Sequence, residues 1–382
     1  LITKYHPDLL WFDTPHKLPL SENIRILKAI READPNVVVN GRLVRSSELM
    51  LGDYKNTADR PAEFFPVEGD WEAIPTTNES YGYHQFDKSH KPAYFFVQLL
   101  AKSVSRGGNL LMNIGPMGNG KFDTSDQKIL NGISNWMDKN AESIHGAGAS
   151  PLPLQSWGVV TQKSNRLYLH VFDWPRDGKL IVGGLKTRPV KVWLLADKSK
   201  KSIQVKALKT PDIELKLPAN PTDPDNSVIV LEMNAPVESD PVRLISATDP
   251  NHLLSFDAKL NGKGWRYGDG KSKRYYVENW KNSDQSVEWT FRLNKPVSFN
   301  LELKFAGSAG SGGKIRTEAG GQIFEADIPQ NQAEDEINTL SVGTVKFEKG
   351  ENKIFLKPIL FGKNELIKLL EIQLIPIKYQ LP

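Results

Sequence analysis

The chain has 382 residues, too many for one compact core, so two or three domains are expected. Lys and Arg total 49 against 45 Asp and Glu, a net charge of +4, too small an excess to require nucleic acid or an acidic membrane surface as a partner. Hydrophobic residues at 39% and charged residues at 25% are ordinary globular values and exclude extensive disorder. The absence of Cys excludes disulfides, thiolate metal sites and a cysteine nucleophile.

Residues 1 to about 149 read as strands alternating with helices. Leu9-Leu10-Trp11-Phe12 is a short apolar run closed by Asp13. Ile24, Leu27 and Ile30 then recur with helical spacing between Glu22 and Glu32. Val37-Val38-Val39 makes a second strand, followed by Asn40-Gly41-Arg42. Continuous apolar strands joined through helices point to a parallel sheet covered on both faces. A further helix is expected from about Pro92 to Ser105, ended by Gly107-Gly108, with a strand over Asn109–Ile114. Asp123 is placed to cap the next helix, which runs to about Asn140.

After Gly148 the period changes to short alternating strands, as in Arg166–Phe172 and Val190–Leu195. Residues 150–236 therefore read as a β-sandwich, and 237–382 as a second one beyond a linker at Ala235–Pro241. The Gly307–Gly313 segment reads as a flexible turn by composition. No apolar run approaches the roughly 20 residues of a membrane-spanning helix. The chain opens on Leu1 without an initiator Met or a visible signal segment, which reads as part of a longer protein.

Asp13, closing an apolar strand, lies at the strand's C-terminal edge, where parallel α/β folds bind ligands. A helix or turn cap is the equally weighted alternative for it. Arg42, just past the next strand, belongs on the same rim. A second acidic concentration is Asp70-Trp71-Glu72, and a carboxylic acid beside an indole is a setting for general-acid chemistry. Gly115–Gly120 has neither glycine spacing of a phosphate cradle, and the seven His residues form no H-E-x-x-H pattern, so no metal site is expected.

Tyr5–Asp13, Val38–Arg42, Gly52-Asp53-Tyr54, Trp71-Glu72, Ser80–Tyr83 and Gly107–Pro116 occur in the order found in α-L-fucosidases of glycoside hydrolase family 29, which residues 1–150 resemble closely. The resemblance implies that Asp13 is the catalytic nucleophile and Glu72 the general acid/base, with Glu63 and Glu68 as the nearest competitors. It places Trp11 and Arg42 in the fucose pocket, and Tyr81 stands there in place of the family's usual Trp.

The implied fold is α/β plus all-β: a (β/α)8-like barrel, of which this chain carries the C-terminal half (residues 1–149), followed by β-sandwiches. The last region resembles carbohydrate-binding modules, with Trp265, Tyr267, Tyr275, Tyr276 and Trp280 as candidate stacking residues, although core packing suits most of them better. The implied function is retaining exo-hydrolysis of fucosylated glycans, in a periplasmic or extracellular setting, without metal or organic cofactor. A non-catalytic sugar-binding protein built on the same scaffold is the competing expectation.

Overall fold

The computed structural model describes residues 1–46, 49–330 and 333–377. After a single helical turn, α1 (Ile2–Tyr5), the chain builds an arc of parallel strands in sequential order. β1 (Leu9–Leu10) pairs with β2 (Val38–Val39), and an Asn40–Tyr54 bridge leads to β3 (Lys55–Asp59). β3 pairs with β4 (Trp71–Ile74), and β4 with β5 (Asn109–Leu110). Every pairing is parallel, so the C-terminal strand ends share one rim.

Helix α2 (Leu20–Ala33) covers one end of this arc, with Ile26, Leu27 and Ile30 against Val37 and Val39. Helix α3 (Ala93–Ser105) covers the other, with Leu99 against Trp71 and Ala73. Asp123 caps α4 (Thr124–Asn140) by accepting the Asp126 N–H at 2.8 Å, as its position predicts. Coverage of the arc is one-sided in places: Leu9 and Val38 remain 44% and 37% exposed, where an apolar strand in a doubly covered sheet would be buried.

The next strands are all antiparallel: β6 (Gly158–Lys163), β7 (Arg166–Val171), β8 (Lys179–Gly183), β9 (Lys191–Leu194), β10 (Gln204–Ala207), β11 (Asp212–Lys216) and β12 (Ser227–Glu232). They form sheets β6-β7-β12-β9 and β10-β11-β8 around a shared apolar core. β12 is a continuous apolar run because it is buried on both faces. Ile229 and Leu231 face the sandwich core, while Val228 and Val230 pack against α3 and α4 through Val97 and Trp136. The β-region is thereby bolted to the helices behind the rim.

Residues from 243 onward form two larger sheets. One is built around Ser286–Leu293 and Gly350–Phe361, the other around Val297–Ala306 and Lys368–Pro376. Tyr276 and Trp280 lie in the interior, Trp265 tilts against Trp280, and Tyr275 bonds to Lys304. Tyr267 stacks on Phe65 of the α/β segment, ring centroids 4.8 Å apart. The aromatics considered for sugar stacking are therefore engaged within the protein. The Gly307–Gly313 turn also differs from its composition. Ser311 is buried, Ser308 donates to Glu365, and Gly312 N–H bonds to the Leu366 carbonyl, so internal hydrogen bonds replace the solvent a loose loop would use.

The two β-regions meet at a bidentate pair between Arg292 and Asp212, whose side chains are 9% and 0% exposed. Burial raises the Asp212 carboxyl, but Arg292, the Thr210 hydroxyl and the Gly184 N–H overcome it and hold it below its usual range. Removing one partner of such a buried pair leaves the other charge stranded. Asp212→Ala should therefore destabilise the chain by about 3–5 kcal/mol. The measurement is the urea unfolding transition that reports the β-regions; an unchanged midpoint would show the pair to be dispensable.

Candidate active site

The rim is organised by hydrogen bonds between strand ends. Asn40, fully buried at the end of β2, accepts the Phe12 N–H and donates to the Phe12 carbonyl, both at 2.8 Å, and also donates to Asn56 at 3.2 Å. This clip fixes Trp11 and Asp13 immediately beyond β1. The parallel register sets Asn56 opposite Glu72, and Asn56 Nδ2 donates to Glu72 Oε1 at 2.9 Å. Trp11 Nε1 donates to the same oxygen at 3.0 Å. Both of these donors reach Oε1, which anchors that oxygen of the carboxylate.

Trp71 does not form the wall beside Glu72, although it precedes it in the chain. Neighbouring strand residues point to opposite faces. Trp71 points into the packing with Phe64 and Leu99, where it lies so close to Gly108 that a Cβ there would sit 2.3 Å from its ring. The indole that meets Glu72 is that of Trp11.

Arg42 is the second organiser. Its Nη1 donates to Asp13 Oδ1 at 2.8 Å, and its Nη2 to Asp59 Oδ1 at 2.7 Å. Its Cζ lies 5.2 Å from the centroid of the Trp11 ring. The Arg42 side chain is 11% exposed, while Asp13 and Asp59 are 51% and 47% exposed, so a buried cation presents two accessible carboxylates at the rim. Partial burial works to raise the Asp13 carboxyl, but the Thr14 N–H and the Arg42 guanidinium outweigh it and keep the group below its usual range. Asp13 is accordingly a carboxylate at neutral pH.

Tyr81 lies in a left-handed backbone conformation, φ 58°, and its hydroxyl donates to the Ile74 carbonyl at 2.9 Å. Burial, with the Asp59 charge second, pushes that hydroxyl up to about 12. Asn113 grips the Tyr81 carbonyl from the other side, and Gly115 presses against Gly82, where a Cβ would lie 2.4 Å from the Gly82 carbonyl carbon. These contacts fasten the Ser80–Tyr83 loop to the Asn113–Pro116 segment.

The geometry thus joins Trp11, Asp13, Arg42, Glu72 and Tyr81 in one rim. The competitors are elsewhere: Glu63 pairs with Lys102, and Glu68 is exposed, with its backbone carbonyl accepting from Lys55. Sequence reasoning missed Asn40, Asn56 and Asp59, together with Tyr54. The Tyr54 hydroxyl is buried beside Asn56 and Glu72, and burial with the Glu72 charge pushes it up to about 12. A cavity of ≈ 190 Å³ lined by Met50, Phe65, Val67 and Trp71 shares Arg42 and Asn56 with the array and contains neither Asp13 nor Glu72.

The parallel strand rim thus carries three carboxylates, Asp13, Asp59 and Glu72, and paired carboxylates are the groups that glycosidic-bond hydrolysis uses. Residues 1–142 match the family model described as Alpha-L-fucosidase, and residues 260–367 match a domain of unknown function, DUF5077. Over residues 1–142 the chain is therefore similar to α-L-fucosidases, solved structures of glycoside hydrolase family 29 among them.

The chain is 27% identical over 235 residues to the α-L-fucosidase of Dictyostelium discoideum, covering 57% of this chain and 50% of that protein. It is 28% identical over 194 residues to the tissue α-L-fucosidase of Rattus norvegicus, covering 47% and 41%. The chain spans about half the length of the curated relatives it matches. Its structure resembles the crystal structure of α-L-fucosidase from Vibrio sp. strain EJY3, with a TM-score of 0.74 and 25% identity over 98% of this chain and 68% of that one. A trapped covalent intermediate of a Bacteroides thetaiotaomicron α-L-fucosidase with 2-fluoro-fucosyl fluoride matches with a TM-score of 0.53 at 25% identity, over 59% and 56% of the two chains.

Proposed function

We propose that this chain carries the nucleophile and the acid/base of a retaining exo-acting α-L-fucosidase that removes terminal fucose from fucosylated glycans. The arc of parallel strands is then part of a (β/α)8-like barrel over residues 1–149, with β-sandwiches over 150–236 and 237–382. The observation that carries the reading is the hydrogen-bonded array itself. Arg42 holds Asp13 ionised while its ring contact with Trp11 leads directly to Glu72.

In the first step an Asp13 oxygen forms a bond to the anomeric carbon as the glycosidic C–O bond breaks. Glu72 transfers its proton to the departing oxygen. Both protein donors converge on Oε1, so Oε2 is the oxygen placed to carry that proton. In the second step water attacks the anomeric carbon, gives a proton to Glu72 and releases Asp13 as a carboxylate. Two displacements return the original configuration. The covalent intermediate described for the Bacteroides thetaiotaomicron relative supports this two-step course. Glycan substrates of this class favour a periplasmic or extracellular setting.

The test is hydrolysis of 4-nitrophenyl α-L-fucoside followed by NMR within the first minutes. α-L-Fucose should appear first and then mutarotate. First appearance of the β-anomer would exclude double displacement, and fucose binding without turnover would make the chain a sugar-binding protein.

A further inference from the structure

Away from the rim, one set of ligating side chains converges among the described residues: His90, at the end of the loop that carries Tyr81, and Asp123 and Asp126 at the start of α4. One ligand atom from each lies within 4.8 Å of the others. Asp123 divides its carboxylate. Its Oδ1 caps α4, while Oδ2 lies 4.0 Å from His90 Nε2. Asp126 is 1% exposed, yet its carboxylate accepts no hydrogen bond from a described residue. Its Oδ1 and His90 Nε2 are both buried without a hydrogen-bond partner, and they face each other at 3.6 Å.

Buried carboxylate and imidazole atoms left unpaired are strongly disfavoured. Helix capping does not account for them, because Asp126 makes no reach-back bond to the Asp123 N–H, which a capping box would require. A direct ion pair fits poorly as well, since charge-assisted N–H···O contacts close to about 2.7–2.9 Å. The separations fit a shared ion better. Two donors each ~2.1 Å from one tetrahedral metal lie roughly 3.4 Å apart.

We propose that His90, Asp123 and Asp126 bind one divalent transition-metal ion through Nε2 and two carboxylate oxygens, with water completing the shell. One imidazole with two carboxylates suits Zn²⁺ or Mn²⁺, whereas Ca²⁺ takes six to eight oxygen ligands. The ion fastens the Tyr81 loop to α4. The loop's neck is already closed by the Lys91 N–H on the Thr77 carbonyl at 3.1 Å, so the metal clamps a preformed element. Its role is to hold the rim in place rather than to act on substrate.

The full chain should be stripped with EDTA and desalted, then titrated separately with ZnCl₂, MnCl₂ and CaCl₂. Bound metal is measured by mass spectrometry and Tm by scanning fluorimetry. Wild type is expected to retain about one equivalent of Zn²⁺ or Mn²⁺ per chain and to gain at least about 2 °C in Tm. Asp126→Asn and His90→Gln should lose both responses, and His90→Gln carries the comparison if Asp126→Asn fails to fold. The proposal is overturned if wild type retains no metal, if only CaCl₂ raises Tm, or if both variants still hold one equivalent.

Discussion

Asp13→Ala should lower kcat for an aryl α-L-fucoside by on the order of 10³-fold or more, because no bond to the anomeric carbon can then form. The fold should survive. Asp13 is half exposed, and Arg42 keeps Asp59 and the Thr57 carbonyl as acceptors, so losing this contact costs no more than about 1 kcal/mol. Added azide should enter the vacated space and displace the leaving group directly, giving β-L-fucosyl azide by single inversion. The wild-type pH profile carries a matching signature. The Thr14 N–H and Arg42 hold the Asp13 carboxyl below its ordinary range against the effect of burial, so its protonation, and the loss of activity that follows, belongs on the acid side of the usual carboxylate range. Near wild-type turnover by Asp13→Ala would reduce the residue to a structural cap.

Local chemistry made much of this legible in the sequence. α3 and α4 follow their apolar spacing, and Asp123 announces its helix. Asp13 and Arg42 could be placed on a common rim because each follows an apolar strand. What escaped was set by register. Lys-Asn-Thr-Ala-Asp has no apolar period, so β3 was invisible, and with it the pairing that puts Asn56 opposite Glu72 and Asp59 beside Arg42. Strands that end at a polar site lose the pattern that identifies strands. Chain adjacency misled in the same place. Trp71 and Glu72 are neighbours on opposite faces, and the indole that matters comes from a strand end far away in the sequence. His90 and Asp126 were equally unreadable, since only the folded loop brings them to one helix start.

Glu72 yields the more discriminating result, because protonation decides the barrier only when the leaving group is poor. Glu72→Gln keeps an acceptor for Trp11 and Asn56 but cannot deliver a proton, so the array should persist while acid catalysis is lost. For a natural fucosyl-oligosaccharide the expected fall in kcat/KM is about 10²–10⁴-fold. An activated aryl fucoside should still form the fucosyl-enzyme readily, and without a base the second step becomes slow. A burst of aryl product should then precede a low steady state, and intact-protein mass spectrometry should find the covalent intermediate. Azide, which needs no base, should relieve the slow step and give α-L-fucosyl azide, the product of two inversions. The opposite anomer from Asp13→Ala would separate the two roles in one assay. Asp59 supplies the control, since it is a further carboxylate on the rim and shares Arg42 with Asp13. If Asp59→Asn showed the leaving-group dependence and Glu72→Gln did not, the acid/base would belong to Asp59, and Glu72 would serve to anchor Trp11 and Asn56.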